Sequence, residues 1–387
     1  MVLREGTKMR AKGKILVVIT LSILIFIPNS STSEEPPYKI GVILSTSGRF
    51  SGMGGDVKQG LFLGAEAINK AGGIKGGKLE LVFEDDDGNV EKATILSKKM
   101  ITRERVLGIF GSTSQVVSHP IAEVCESLKV PLLTISPSRS ISQGRQFVFI
   151  AMATTDVLTE FVCTFMVNVL HWKRVGILCE STEFGIDVSK LAETFLKRMG
   201  VEVFMEKFTP TDVDVTPLWL KMKERNPDGV YLVASLGKVP AVAMKNRKSL
   251  GLTIPVIGAA ALGQPLFLQM TGEAAEGMYI VTYLRHGAYT PPQKALISFM
   301  SSKGLGEQPR TWTAAGWDAI HLFAKAIEAC GKNPTPVNVR DELEKIRGYK
   351  VATGDVNMSP EDHSGHTIKD LSIARVKGGK FVFEFAF

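Results

Sequence analysis

The sequence lacks the short motifs that carry most enzyme chemistry. Its four cysteines stand far apart in apolar segments, so no C-x-x-C pair is available for a metal or for dithiol exchange. Buried free thiols are the simplest interpretation. There is no G-x-S-x-G nucleophile elbow, no H-E-x-x-H zinc motif and no P-loop. These absences argue against a hydrolase on an α/β scaffold, and we expect no catalytic residue, no cofactor and no metal site.

The net charge is small outside the N-terminus. The net charge is +7, of which residues 1–33 contribute +4, so the rest of the chain carries only +3. Nucleic-acid binding needs a clustered basic face, which this distribution does not provide. No repeat with a period of ~20–50 residues is visible, which disfavours a solenoid or a propeller. The length of 387 residues points to about two domains.

The first 33 residues have the order of a secretory signal peptide. Basic residues up to Lys14 precede the apolar run 15–27, and Pro28 and small polar residues follow. This run is too short to span a bilayer comfortably, which takes ~20 apolar residues. No cysteine stands directly after it, so a lipid anchor is not expected. We predict export to the periplasm, with an uncleaved N-terminal anchor as the alternative.

Strands and helices alternate along the rest of the chain. A first series of strands runs from Tyr38–Leu44 to Val130–Ile135, and a second runs from Arg174–Cys179 to Gly277–Val281. Such alternation predicts parallel βαβ units with right-handed crossovers. Helices follow the second series, and a strand pair around the turn 377–379 closes the chain. The sequence therefore predicts an α/β fold with two units.

Six stretches carry a further signal: YKIGVILSTSGRFSGMGGDVKQGLFLGAEAINKAGGIKGG, LGIFGSTS, VPLLTISPSRS, PDGVYLVAS, GEAAEGMYI and WTAAGWDAI. In this order they resemble the type I periplasmic binding proteins of the leucine/isoleucine/valine-binding family. The resemblance implies two Rossmann-like lobes joined by three crossovers, with the ligand in the cleft between them. It places residues 38–156 plus 284–371 in lobe one and residues 157–283 plus 372–387 in lobe two.

Two loops rich in hydroxyl groups follow neighbouring predicted strands, at residues 111–115 and 136–140. Ligands of parallel α/β sheets bind at the carboxyl ends of the strands. Hydroxyls and the free N–H groups of a helix start suit a carboxylate. The resemblance implies that Ser114 and Ser140 hold the ligand's carboxylate, and helix capping is the alternative role. The candidate donors are Ser112, Thr113, Ser114, Ser136, Ser138 and Ser140.

The opposing lobe departs from the family pattern. Amino-acid-binding members place an acidic residue after the strand that matches 255–258, and here that loop is Ala259–Ala261. A buried ammonium group without a counter-charge is costly, which disfavours a standard amino acid. We predict a ligand with a carboxylate or amide head and an apolar or aromatic body that lies against the alanine wall. The candidate contacts in this lobe are Phe184, Ser235 and Ala260.

Other conspicuous residues are expected to be structural. The acidic run Asp85–Asp87 lacks the spacing of a calcium loop and is interpreted as a solvated strand end. Glu180 and Glu183 are interpreted as solvated or capping residues, with a role as the counter-charge of a ligand ammonium group as the alternative. His363 and His366 are interpreted as a surface pair. The aromatic residues of the long predicted helix that we assign to the core are Trp312, Trp317 and Phe323.

These features predict an extracytoplasmic solute-binding subunit of an ABC importer of the branched-chain-amino-acid type. Its partners are a small-molecule ligand, either an amino acid or an aromatic or aliphatic carboxylate or amide, and a permease in the inner membrane. Closure of the two lobes about the crossovers would trap the ligand. A periplasmic ligand sensor that is not coupled to transport is the alternative, because the same fold serves receptor domains.

Overall fold

The described part of the molecule is residues 36–387 of a computed structural model. The predicted signal peptide, residues 1–33, lies outside the described residues. Within residues 36–387 no helix is both long and apolar enough to cross a membrane. The described chain is built on two main β-sheets, each with its own set of helices.

The first sheet has five parallel strands in the order β2-β1-β3-β4-β5. The strands β3, β4 and β5 are buried along their whole length, as expected for a parallel sheet that helices cover on both faces. Its elements are β1 (Tyr38–Leu44), α1 (Ser51–Lys70), β2 (Leu79–Asp85), α2 (Val90–Thr102), β3 (Gly108–Gly111), α3 (Gln115–Leu128), β4 (Leu132–Thr134), α4 (Arg139–Ser142) and β5 (Val148–Ile150).

The second sheet has seven strands in the order β14-β13-β10-β9-β8-β6-β7. The strands β6 to β10 are parallel, and the terminal hairpin β13–β14 adds to β10 in antiparallel fashion. Its elements are α5 (Thr155–Thr164), β6 (Arg174–Glu180), α6 (Glu183–Arg198), β7 (Glu202–Phe208), α7 (Thr216–Glu224), β8 (Gly229–Val233), α8 (Lys238–Ser249), β9 (Val256–Gly258), α9 (Pro265–Thr271), β10 (Tyr279–Thr282), β13 (Ser372–Lys377) and β14 (Lys380–Phe385).

The helices between β10 and β13 pack onto the first sheet's layer. The longest, α11, lies against α1 because a glycine on each helix lets the two backbones meet. A Cβ atom at Gly60 would lie 2.0 Å from the carbonyl oxygen of Thr313, and one at Gly316 would lie 2.2 Å from that of Val57. The elements are α10 (Pro291–Ser302), α11 (Thr311–Ala329), α12 (Pro336–Glu344), β11 (Tyr349–Val351) and β12 (Gly354–Val356).

The chain passes between the two layers three times, after β5, after β10 and before β13. The hydroxyl of Tyr283, just after β10, donates a hydrogen bond to the carbonyl oxygen of Ala153, just after β5, at 3.2 Å. Two crossovers are thereby tied together. The predicted α/β fold with two lobes and three crossovers is confirmed, and the residue limits of each lobe stay a prediction.

The histidines of the 363–366 loop are buried, so their interpretation as a surface pair is wrong. His363 is 7% exposed and His366 is 2% exposed. The Nδ1 atom of His363 lies 2.9 Å from the carbonyl oxygen of Val148, and its ring stacks on Phe149 at 4.2 Å between centroids. The loop covers the edge strand β5, because the backbone N–H of Ile150 donates to the His363 carbonyl. The histidines were interpreted as a surface pair because the sequence does not show that their loop covers this edge of the sheet.

Candidate functional site

Asp86 organises the carboxyl ends of the strands β1 and β3. Its carboxylate is fully buried and accepts hydrogen bonds from the hydroxyls of Ser45 (2.5 Å) and Ser112 (2.6 Å) and from the backbone N–H of Gly88 (2.8 Å). The interpretation of Asp85–Asp87 as a solvated strand end is therefore wrong for its middle residue. Three donors that come from separate loops compensate the burial of the charge.

We expect Asp85 to make the stability pH dependent in acid. Partial burial alone would raise the pKa of its carboxyl group, but hydrogen bonds from the Asp87 backbone and from Thr46 lower that pKa to about 2. The stabilisation is complete above the ordinary pKa of 3.8 and is lost as the pH falls through about 2. The difference in Tm between the wild type and Asp85→Asn should therefore shrink on acidification, and a difference that is constant with pH would contradict this.

Four of the six predicted hydroxyl donors already have partners within the chain. Ser112 donates to the buried carboxylate of Asp86. The side chain of Ser114 caps α3 by accepting a hydrogen bond from the Val117 backbone at 3.4 Å. The hydroxyls of Ser138 and Ser140 lie 2.9 Å apart. Of the six candidates, this leaves Thr113 and Ser136, whose hydroxyls make no such contact.

The hydroxyls of Thr113 and Ser136 have no hydrogen-bond partner among the described residues. Thr113 is 7% exposed and Ser136 is 2% exposed. They follow the neighbouring strands β3 and β4, at the edge of the sheet where parallel α/β folds bind their ligands. A buried hydroxyl without a partner costs about 1–3 kcal/mol. Other buried hydroxyls of the described chain, such as those of Thr313 and Ser372, also lack a partner, so it is the position at this edge of the sheet that makes Thr113 and Ser136 candidates for binding a polar ligand atom.

A cavity lies between the layers and takes its walls from both of them. Pro137 and Met152 line it from the first sheet's side, and Val188 and Ala259–Ala261 line it from the second. The space open to the centre of a water molecule is about 70 Å³, several times the ~10–15 Å³ that one water needs. None of the described residues that line it is charged. Its aromatic residues are Phe184, Tyr231, Tyr283 and Trp312.

The predicted site residues are distributed unevenly about this cavity. Phe184 and Ala260 line it. Ser136 lies between two lining residues, Ile135 and Pro137, whereas none of the six hydroxyl residues is itself in the lining. Ser235 is also outside the lining. The structure thus places Phe184 and Ala260 at one cavity, and contact of every predicted residue with a ligand stays a prediction.

Sequence reasoning missed three of the four aromatic residues in the cavity. Tyr231 lies in the middle of β8, and Tyr283 lies just after β10. Trp312 was assigned to the core, against which it does pack; it is partly buried and also lines the cavity from the first turn of α11. No local motif distinguishes these rings from ordinary core residues, because their common location arises only when both lobes are assembled.

Glu180 organises the end of β6. It is 5% exposed, so its interpretation as a solvated residue is wrong. Its carboxylate accepts hydrogen bonds from the backbone N–H of Ser235 at 3.2 Å and from the hydroxyl of Thr182 at 3.3 Å. Thr182 in turn caps α6. Glu180 therefore holds the loop after β8 against the start of the helix that carries Phe184.

Comparison with known proteins finds relatives whose names describe the same kind of binding protein. A Leu/Ile/Val-binding protein homolog from Brucella melitensis is 23% identical over 323 residues, which are 83% of this chain and 86% of that protein. A leucine-, isoleucine-, valine-, threonine- and alanine-binding protein from Pseudomonas aeruginosa is 24% identical, over 82% of this chain and 84% of that protein. The crystal structure of a leucine-binding protein from Thermotoga maritima superposes with a TM-score of 0.78 at 25% identity and covers 90% of this chain and 97% of that one.

A family model settles the relationship, because it extends over most of the chain. The model describes a periplasmic binding protein and matches residues 37–380, from the first strand of the first sheet into the terminal hairpin. The order of strands and the three crossovers agree with this match. The chain belongs to the periplasmic binding protein family.

Proposed function

We propose that this chain is the extracytoplasmic solute-binding subunit of an ABC importer of the branched-chain-amino-acid type. It works in the periplasm after removal of residues 1–33 and delivers a small-molecule ligand to a permease in the inner membrane. The amino-acid-binding names of its relatives support this class of ligand. The observation that carries the proposal is an uncharged cavity whose walls come from both lobes.

Hinge closure is the proposed mechanism. Lobe one comprises residues 38–156 plus 284–371, and lobe two comprises residues 157–283 plus 372–387. A ligand that touches the walls of both lobes stabilises the closed form through contacts that the open form does not make. The permease then recognises the closed molecule, so the chain needs no catalytic group.

The ligand that this site fits has a carboxylate or amide head and an apolar body. The buried hydroxyls of Thr113 and Ser136 can donate to the head without a positive charge on the protein. The apolar body lies against Phe184 and the alanine wall of the cavity. That wall supplies no carboxylate for an ammonium group, so binding does not depend on the α-amino group of the ligand.

A thermal-shift comparison tests this proposal. We expect aliphatic and aromatic carboxylates, such as 4-methylpentanoate and 3-phenylpropanoate, to raise the Tm at least as much as leucine does, because the amino group gains no counter-charge. A shift with leucine alone would contradict the ligand class. We expect Ser136→Ala to weaken carboxylate binding about ten- to a hundredfold, since a hydrogen bond to a charged group contributes ~1.5–3 kcal/mol.

Ser97→Ala is the matched control for Ser136→Ala. Ser97 is also fully buried, but its hydroxyl donates to the Ala93 carbonyl oxygen within α2 at 2.7 Å. This variant should lose some stability and keep the affinity of the wild type. Equal losses of affinity in the two variants would show that the effect of residue 136 is a general consequence of destabilisation.

A further inference from the structure

We infer that Trp312 completes the ligand site from lobe one and that the site selects a planar aromatic carboxylate. This inference rests on the proposed function and narrows it. Trp312 projects from α11, a helix in the last quarter of the chain whose aromatic residues the sequence pattern assigns to the core. Phe184 reaches the same cavity from α6 in the other lobe. A ligand held between these rings touches an aromatic face on each side.

The position of Trp312 differs from that of the other tryptophans. The chain has four, and Trp172, Trp219 and Trp317 are 6%, 0% and 8% exposed. Trp317 lies on the same helix, five residues further on, and packs against Phe299 in lobe one at 5.7 Å between ring centroids. Five residues rotate a helix by about 140° beyond one full turn. Trp312 is therefore directed away from that contact and into the cavity.

The start of α11 is fixed on α1, which holds Trp312 in place. Arg310, the residue before the helix, forms a 2.6 Å ion pair with Asp56 of α1. Gly316, about one turn after Trp312, brings the backbones of the two helices into contact. An aromatic side chain on an anchored first turn presents a fixed surface, and it loses little conformational entropy when a ligand binds.

The other walls suit a flat ligand. Phe184, Tyr231 and Tyr283 add three more ring surfaces, and Ala259–Ala261 gives a wall of methyl groups without branches. Aromatic pairs in offset or edge-to-face contact contribute beyond the burial of area alone. A phenyl ring can make these contacts with the cavity's rings, and a puckered cyclohexyl ring of similar size makes only the area-dependent ones.

The test compares 3-phenylpropanoate with 3-cyclohexylpropanoate, which share the carboxylate and the chain length. We expect the wild type to bind the phenyl acid about three- to tenfold more tightly in calorimetry. Trp312→Ala should remove most of this preference, and Trp312→Phe should retain it in part. Circular dichroism and Tm confirm that each variant is folded.

Intrinsic fluorescence gives a second readout. Because Trp312 is the one tryptophan in the cavity lining of the described chain, the ligand-induced change should vanish in Trp312→Phe and persist in the matched variant Trp317→Phe. If the change persists in Trp312→Phe, or if the wild type binds the two acids with equal affinity, this inference is overturned and the proposed function is not affected. Binding of neither acid to the wild type overturns the proposed ligand class and this inference with it.

Discussion

Replacing Gly316 with alanine is expected to lower the free energy of unfolding by about 2–3 kcal/mol. The new Cβ atom would lie 2.2 Å from the carbonyl oxygen of Val57 and 3.0 Å from the backbone nitrogen of Leu61. Both neighbours are backbone atoms of α1, so no side chain can rotate to make room. The two helices must move apart, and the dense packing between them is lost. Urea denaturation of the two proteins measures the difference.

Gly55→Ala is the matched control, because it makes the same chemical change on α1. A Cβ atom at Gly55 meets nothing within 4 Å. Alanine is a better helix former than glycine, so this variant should gain up to about 1 kcal/mol. The two substitutions are thus expected to change the free energy of unfolding in opposite directions. A loss of stability in both, or in neither, would contradict the account of the α1–α11 contact.

Asp86→Asn is expected to cost about 3 kcal/mol of stability. The carboxylate accepts three hydrogen bonds, from Ser45, Ser112 and Gly88, and offers no donor. An amide keeps one accepting oxygen and directs its NH₂ group at one of the donors. At least one buried donor is then left without a partner, which costs about 1–3 kcal/mol. The remaining hydrogen bonds are weaker because their acceptor no longer carries a charge.

The neighbouring residue supplies the control for that substitution. Asp87 is exposed and accepts one hydrogen bond, from the Ser47 hydroxyl at 2.6 Å. Asp87→Asn should change the free energy of unfolding by less than about 0.5 kcal/mol, as surface substitutions usually do. Thermal or urea unfolding of both variants measures how much each carboxylate contributes to stability. Similar effects at the two positions would refute the structural role assigned to Asp86.

The alternation of strands and helices was sufficient to predict the two α/β units. It works because apolar runs of strand length and helical spacing are local properties of the chain. The first strand was predicted at Tyr38–Leu44 and is found there. The strand predicted at Val106–Phe110 is Gly108–Gly111, because hydrogen bonding to the neighbours β1 and β4 determines its ends.

The errors occurred where burial depends on contacts between distant segments. Three adjacent aspartates suggest solvent, and Asp86 is buried only because Ser45 and Ser112 converge on it from other loops. His363 is buried because its loop covers β5. For the site, Phe184 and the alanine wall were implied by the family resemblance, which identifies the ligand-facing loops of the second lobe. Trp312 could not, since the cavity that it lines needs both lobes.

The hydrogen bond between Tyr283 and Ala153 has a consequence for engineering ligand preference. The ring of Tyr283 is part of the cavity wall, and its hydroxyl joins two of the crossovers about which the lobes would rotate. Enlarging or shrinking this side chain therefore alters pocket shape and interlobe stiffness at the same time. Tyr283→Phe separates the two effects, because it keeps the ring and removes only the link. Redesign of selectivity is better directed at Ala260, which lines the same cavity from the loop after β9 and lies outside the crossovers.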